Sequence, residues 1–403
     1  MITPNYLEYQ LDLLQTHTQL QESLWRDIIR RMLKTDLSIT DTAAWQIEKL
    51  QQAGMMYPDI VKMISEHTGL MQSEIKTLFQ AAGIEVFNYD DTLLAKAGLD
   101  PKAIKHLSPA MRNILEAALQ KTCTDAINLT KTTAVTSQSL YISACDLAHQ
   151  QVASGSFSYQ QAITNGIKSA SQQSLKVIYP SGHRSSLDAA IRRSVLTGVN
   201  QTAGQLQSMR ANEYGVDLME ITAHDGARPS HAAWQGQLVS LSGRRGYLSL
   251  SDIGYGEVTG FMGANCRHNW YMFWEGISSR AYTPRQLKNF QTHKVTYNGK
   301  EYLDSDGKKK QRELERDIRS TKQELVMLDE AMKQGVDLKI DFDDASDRLK
   351  KQREKLENFC NQTGFRLDPY RTQVHAAASS SGIKNFGRSV SQKAVWASKR
   401  QNK

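Results

Sequence analysis

The chain has 403 residues, room for two or three domains and a substantial core. Its 40 % apolar and 23 % charged content and a mean hydropathy of −0.51 are those of a globular protein, and no apolar run reaches the about 18 residues of a membrane span. A net charge of +8 allows contact with a polyanion without establishing it. The four cysteines, Cys123, Cys145, Cys266 and Cys360, form no CxxC pair, which argues against a disulfide framework and for a reducing cytosol. The first twenty residues have neither a basic n-region nor an apolar h-region, so no secretory signal is expected.

In chain order, residues 1–214 predict helices joined by short breaks. Only 8 prolines occur, and Gln, Ala, Leu and Lys abound. Leu11, Leu14, Leu24, Ile28, Ile29 and Leu33 recur at helical spacing. Asp41 is a natural N-cap for "TAAWQIEKLQQAG", with Gly54 as its end. Pro58 and Pro101 read as helix starts, and Ser108 as a cap with Pro109 at the first helical position. "YPSGHRSS" reads as a loop before a long helix from about Ser186 to Glu213. No strand pattern interrupts this region.

The character changes at Gly215. "VDLMEITAH" alternates Val216, Leu218 and Glu220 against Asp217, Met219 and Ile221, a strand signal. "GQLVSLSG" and the aromatic "NCRHNWYMFWEG" are two more candidate strands, and glycines such as Gly236, Gly254, Gly260 and Gly263 mark turns between them. A small Gly- and aromatic-rich α+β domain is placed at 215–290. Residues 291–370 return to helix. Leu314, Ile318, Leu325, Leu328 and Met332 form one seam, and Ala345, Leu349, Leu356 and Phe359 another, with Gly335 between them; this predicts an antiparallel hairpin. Residues 371–403 hold seven Lys or Arg and no acid, and read as a basic flexible tail. The expected fold class is therefore α+β and predominantly helical.

Two stretches carry possible chemistry, "HDGARPSH" and "NCRHNW". His224, His231, Cys266 and His268 are zinc ligands by type, and a C-x-H pair on one strand would face one side. Neither half has the spacing of a usual zinc knuckle, so no cofactor is expected. A cysteine enzyme is the alternative function, with Cys266 as nucleophile, His231 or His224 as base and Asp225 as orienter. No nucleophile-elbow, metalloprotease or phosphate-loop motif accompanies them. "DSDGKK" starts like a calcium loop but has Lys308 at its fifth position, where the loop needs an oxygen ligand, so the reading fails.

The preferred reading is structural, with no catalytic residue. Asp225-Gly226 is a turn, Pro229 opens a short helix, and Trp234, Trp270, Phe273 and Trp274 fill a small core. His224, Asp225, Arg228, His231, Asn265, Cys266, Arg267 and His268 then form a clasp joining the two stretches, with Arg228 or Arg267 pairing Asp225. Lys308, Lys309, Lys310, Lys393, Lys399, Arg400 and Lys403 are candidates for weak, sequence-independent contact with double-stranded DNA.

The same residues carry a family likeness. "TAHDGARPSHAAWQGQ" (222–237), "DIGYGEVTGFMGANCRHNWYMFWEG" (252–276) and "YNGKEYLDSDGKKKQRELERDIRSTKQEL" (297–325) together resemble phage minor capsid proteins of the minor capsid protein 2 type, within the wider MuF-like head morphogenesis group. The likeness covers about 216–360. It implies a structural protein of a tailed phage or prophage, located in the virion near the portal and in host cytoplasm during assembly. The implied partners are the portal and the major capsid or scaffold protein, with no membrane and no enzymatic reaction. The aromatic density at 270–274 and the basic tail depart from the family's pattern.

Overall fold

Leu20, Leu24, Ile28 and Met32 recur every fourth residue and are all buried, so the helix that carries them, α1 (Leu11–Lys34), turns one full apolar face inward. The computed structural model describes residues 11–39, 41–96, 98, 108–173, 175–372, 374 and 390–401. It is predominantly helical, with three small sheets. No helix among the described residues is long and apolar enough to cross a membrane. Two compact units emerge, each discontinuous in sequence. The first comprises Met1–Asp12, Gln72–Ala126 and Ile191–Lys309, and the second Leu13–Met71, Ile127–Ala190 and Lys310–Lys403.

Helix α2 (Thr42–Lys96) starts where Asp41 accepts the Ala44 N–H at 2.7 Å. It does not end at Gly54, and Pro58 lies inside it rather than at a helix start. Glycine and proline together cost a helix interior about 4 kcal/mol. Burial of Ala53, Met56, Ile60, Ile64 and Met71 along one face outweighs that local preference. Gln138 from α3 (Pro109–Ala153) also donates to the Ala53 carbonyl at 2.7 Å, just ahead of the proline. Helix α3 begins as expected, with the Ser108 hydroxyl accepting the Met111 N–H at 3.3 Å and Pro109 first. Pro101 lies outside the described residues.

In the second unit, α4 (Tyr159–Gln173) packs so closely that a Cβ at Gly166 would lie 2.4 Å from the Met32 methyl. A two-stranded hairpin follows, β1 (Lys176–Ile178) with β2 (Arg184–Ser186), where a loop was expected. Its strands are three residues long, too short for an alternation to register. Helix α5 (Leu187–Glu213) comes next.

The first unit holds the small sheet. Strand β3 (Leu218–Ile221) lies at its centre, with β4 (Leu238–Ser240) and β5 (Trp270–Phe273) antiparallel on either side. All four β3 residues are buried, so the expected alternation does not separate a wet face from a dry one. Glu220 tolerates this because Arg280 and the Ala281 N–H clamp its carboxylate at 2.9 and 3.0 Å. The short helices α6 (Pro229–Ala232) and α7 (Pro284–Thr292) flank the sheet. A hairpin of β6 (Lys294–Tyr297) and β7 (Lys300–Leu303) then turns at Asn298-Gly299, both at positive φ, where helix was expected.

Helices α8 (Asp304–Lys333) and α9 (Lys339–Thr363) form the antiparallel pair, bracketed by Arg348–Glu324 at 2.5 Å and Gln311–Cys360 at 3.7 Å. The expected tail is not loose throughout. Residues 369–372 turn against α8, where Lys322 donates to the Thr372 carbonyl at 2.6 Å and Arg319 to that of Arg371. The last helix, α10 (Val390–Gln401), packs on α9 and buries Val390, Ala394 and Ser398, one apolar-spaced face.

Buried acids tie this second unit together. Asp329 takes Lys333 at 2.8 Å and Lys393 at 2.6 Å, and Glu330 takes Arg26 at 2.9 Å and Arg30 at 2.6 Å. Burial opposes ionisation of both carboxyls, but these hydrogen bonds outweigh it and hold both below the ordinary range. A carboxyl with a lowered folded-state pKa stabilises the fold above its unfolded value, about 4, and loses that contribution as pH falls through the folded value. Acid titration followed by circular dichroism should therefore show stability falling below about pH 4, with the loss reduced in Asp329→Asn. An acid transition identical in that variant would detach Asp329 from the network.

Candidate functional site

Strand β3 ends at Ile221, and the chain turns through Gly226 at φ +69° before Pro229 opens α6 with no side-chain cap. This turn brings His231 inward. The second stretch is a run of tight turns between Gly254 and Gly263. A Cβ on Gly260 would fall 1.9 Å from the Gly254 carbonyl oxygen, so two backbones touch there and only glycine fits. Asn265 follows at φ +59°. Cys266 and His268 then lie in an irregular segment ahead of β5 rather than on the strand, yet their side chains still meet.

His231, Cys266 and His268 are buried and converge. Cys266 Sγ lies 3.5 Å from His268 Nδ1 and 3.9 Å from His231 Nδ1. His231 Nε2 bonds the Thr259 carbonyl at 2.8 Å, and His268 Nε2 bonds Gln235 Oε1 at 3.2 Å. Among the described residues these three are the group placed to hold a metal ion, their donor atoms all within 4.8 Å of one another. His224 lies beside them. Its ring stacks on His268 with centroids 4.4 Å apart, and its Nδ1 bonds the Asp225 carbonyl at 3.0 Å. Its Nε2 is buried without a hydrogen-bond partner. Trp234 closes the cluster, 4.4 Å from the His231 ring and 4.8 Å from that of His268.

Electrostatically the cluster is neutral. Burial pushes His268 down to about 2, with His224, His231 and Arg228 adding to the shift, and burial likewise lowers His224 and His231. Burial raises the Cys266 thiol, the reverse of what a nucleophilic cysteine needs. Nor does the proposed triad assemble, because His224 meets the Asp225 backbone and the Asp225 side chain is exposed.

Three of the eight expected clasp side chains, Asp225, Asn265 and Arg267, are exposed. Arg228 does reach the second stretch, but it donates to the Ala264 carbonyl instead of pairing with Asp225. The acceptor is a backbone carbonyl in the tight turns that precede Cys266. Asp225 contributes its own carbonyl, which Lys308 meets at 2.8 Å.

Sequence reasoning missed the residues that hold the clasp from behind. Asn200, buried on α5, donates to the carbonyls of His268 at 3.0 Å and Cys266 at 3.4 Å. Gln201 donates to the Met262 carbonyl at 3.1 Å, and Trp270 Nε1 to that of Gly204 at 3.0 Å. Thr222 and Asn269 exchange bonds of 2.8 and 2.9 Å. The only signal in the sequence was a polar residue, Asn200, directly after the apolar Val199 on a helix.

The candidate DNA contacts are largely engaged elsewhere. Lys308 pairs with Asp304 at 2.6 Å, Lys309 with Asp306 at 2.8 Å, Lys310 with Glu313 at 2.8 Å and Lys393 with Asp329 at 2.6 Å. Lys399 is exposed, Arg400 lies on α10, and Lys403 falls outside the described residues.

This chain has a fold compatible with many functions, and comparison with known proteins narrows them. It is 24 % identical over 305 residues, 72 % of this chain and 78 % of the relative, to a structural protein of Lactococcus phage LL-H. The pattern of phage minor capsid protein 2 matches residues 2–361, and the chain belongs to that family. No solved structure matches it.

Replacing Arg228 by Ala leaves the Ala264 carbonyl without its charged donor. Chemical denaturation should report a loss of about 1–3 kcal/mol for Arg228→Ala. Exposed Arg285→Ala on α7 should stay within about 0.5 kcal/mol of wild type. Equal losses at the two positions would remove Arg228 from the clasp.

Proposed function

We propose that this chain is a low-copy, non-enzymatic component of a tailed-phage head that acts beside the portal in head assembly and in DNA packaging or delivery. The observation that carries the reading is the extent of the family match, which runs from the helical N-terminal part through the clasp to α9. Its partners are the portal protein and the major capsid or scaffold protein. Helix α2 supports such protein contacts, since Ile47, Leu50 and Met55 stand 66, 60 and 49 % exposed on it. Mass spectrometry of purified procapsids and virions should find the chain in both, well below the copy number of the shell protein, and cross-linking should join it to the portal. Absence from both particles sinks the proposal; cross-links confined to the shell away from the portal would move its place.

Contact with DNA is a secondary property in this reading. Of the seven candidate cations, Lys308, Lys309, Lys310 and Lys393 already pair with carboxylates, which weakens their contribution to phosphate binding. Binding to duplex DNA should be weak and independent of sequence, with a log–log salt slope no steeper than about −4, or roughly four phosphates neutralised. Filter binding across a salt series measures this, and tight sequence-selective retention would contradict it.

A further inference from the structure

We propose that His231, Cys266 and His268 bind one zinc ion through Nδ1, Sγ and Nδ1, with His224 Nε2 as the fourth donor, and that this closed site locks the clasp. The geometry comes first. Donors 2.0–2.3 Å from a tetrahedral zinc stand about 3.5 Å apart. The Sγ–Nδ1 separations of 3.5 and 3.9 Å are already near that value before any ion is present.

Proton counting gives an independent argument. The Thr259 carbonyl can only accept, so the His231 Nε2 bonded to it carries the proton and Nδ1 is a bare lone pair. Gln235 Oε1 accepts the His224 backbone N–H at 3.2 Å, which fixes it as the oxygen; His268 Nε2 therefore also donates, and its Nδ1 is bare. His224 Nδ1 donates to the Asp225 carbonyl, leaving Nε2 as a third lone pair, buried without a partner. Three acceptor nitrogens thus lie in one cluster that offers a single thiol proton, from Cys266. Buried acceptors are normally satisfied. A cation beside Cys266 satisfies the Nδ1 atoms of His231 and His268 together, and the His224 ring stacked on His268 offers the remaining lone pair.

The second shell has the form that metal sites use. Each ligating ring donates its other N–H to an oxygen, Thr259 for His231 and Gln235 for His268, which sets both the tautomer and the ring angle. Soft sulfur with imidazole favours zinc over magnesium or calcium. His231, Cys266 and His268 are only 2, 7 and 1 % exposed, and with His224 as the fourth ligand the coordination is complete, as in a structural rather than a catalytic site. Binding transfers the Cys266 thiol proton to solvent and leaves a thiolate–zinc bond.

The test uses the full chain, stripped by a strong chelator, shown folded by circular dichroism, and titrated with cobalt(II) and then zinc. One equivalent should bind, with the thiolate-to-cobalt charge-transfer band and the intense visible bands of a tetrahedral ion, and zinc should displace it. Cys266→Ser should lose that band and Cys360→Ser should keep it. His224→Ala should weaken binding at least about tenfold, and Gln235→Leu by about 10- to 100-fold through its outer-shell role. Because Cys266→Ser could fold poorly, the melting temperature of the wild type is the second readout, rising with zinc and falling with chelator. A folded wild type that binds no stoichiometric cobalt and melts identically with zinc or chelator would overturn the proposal. Unchanged affinity in His224→Ala would overturn the fourth-ligand assignment.

Discussion

One asparagine on a long helix fixes where the clasp can form. Asn200 is buried in α5 and gives its amide protons to the carbonyls of His268 and Cys266, while its oxygen accepts from Asn269. In a low-dielectric interior each buried polar group left without a partner would be costly. The segment carrying Cys266 and His268 is neither helix nor strand, so it has no ladder of its own to satisfy its backbone. Asn200 supplies those bonds from outside and thereby sets the height of both side chains. Gly204, one turn further along, completes the constraint. A Cβ there would fall 2.0 Å from the Met262 methyl, so its absence lets α5 close on the turn that precedes Cys266.

From that anchor the rest of the first unit follows in layers. Trp270 leans on the Gly204 carbonyl and begins β5, and β5 registers against β3 with Ile221 opposite Trp270. Trp234, Phe261 and Trp270 then pack as a chain of rings, with centroids 5.7 and 4.8 Å apart. His231 and His268 sit at the polar end of this aromatic stack. Their neutrality is a consequence of the packing, since a buried imidazolium beside Arg228 would have no counter-charge.

Much of this was legible in the sequence where a local signal and the tertiary outcome agree. The Ser108-Pro109 start of α3, the aromatic strand β5, the seams of α8 and α9, and the meeting of His231 with Cys266 and His268 are of that kind. The failures share a cause. Gly54 and Pro58 are breakers by propensity, yet α2 runs through them because its buried face extends on both sides. The basic composition after Arg371 suggested a solvated tail, whereas every fourth residue from Val390 is buried and Lys393 reaches a carboxylate contributed by α8. Arg228 was matched to the nearest acid in sequence; its true acceptor is a carbonyl thirty-six residues away, and backbone oxygens leave no trace in residue identity. The Asn298-Gly299 turn is a hairpin signal of known type, which the helical reading of 291–370 passed over.

All four cysteines are free and buried, and burial raises each thiol, that of Cys145 to about 12. Thiolate, not thiol, is the species that attacks disulfides and reacts with oxidants. Cys123, Cys145 and Cys360, buried and with their thiols raised, are therefore poor starting points for any new covalent bond, either within the chain or to a neighbour.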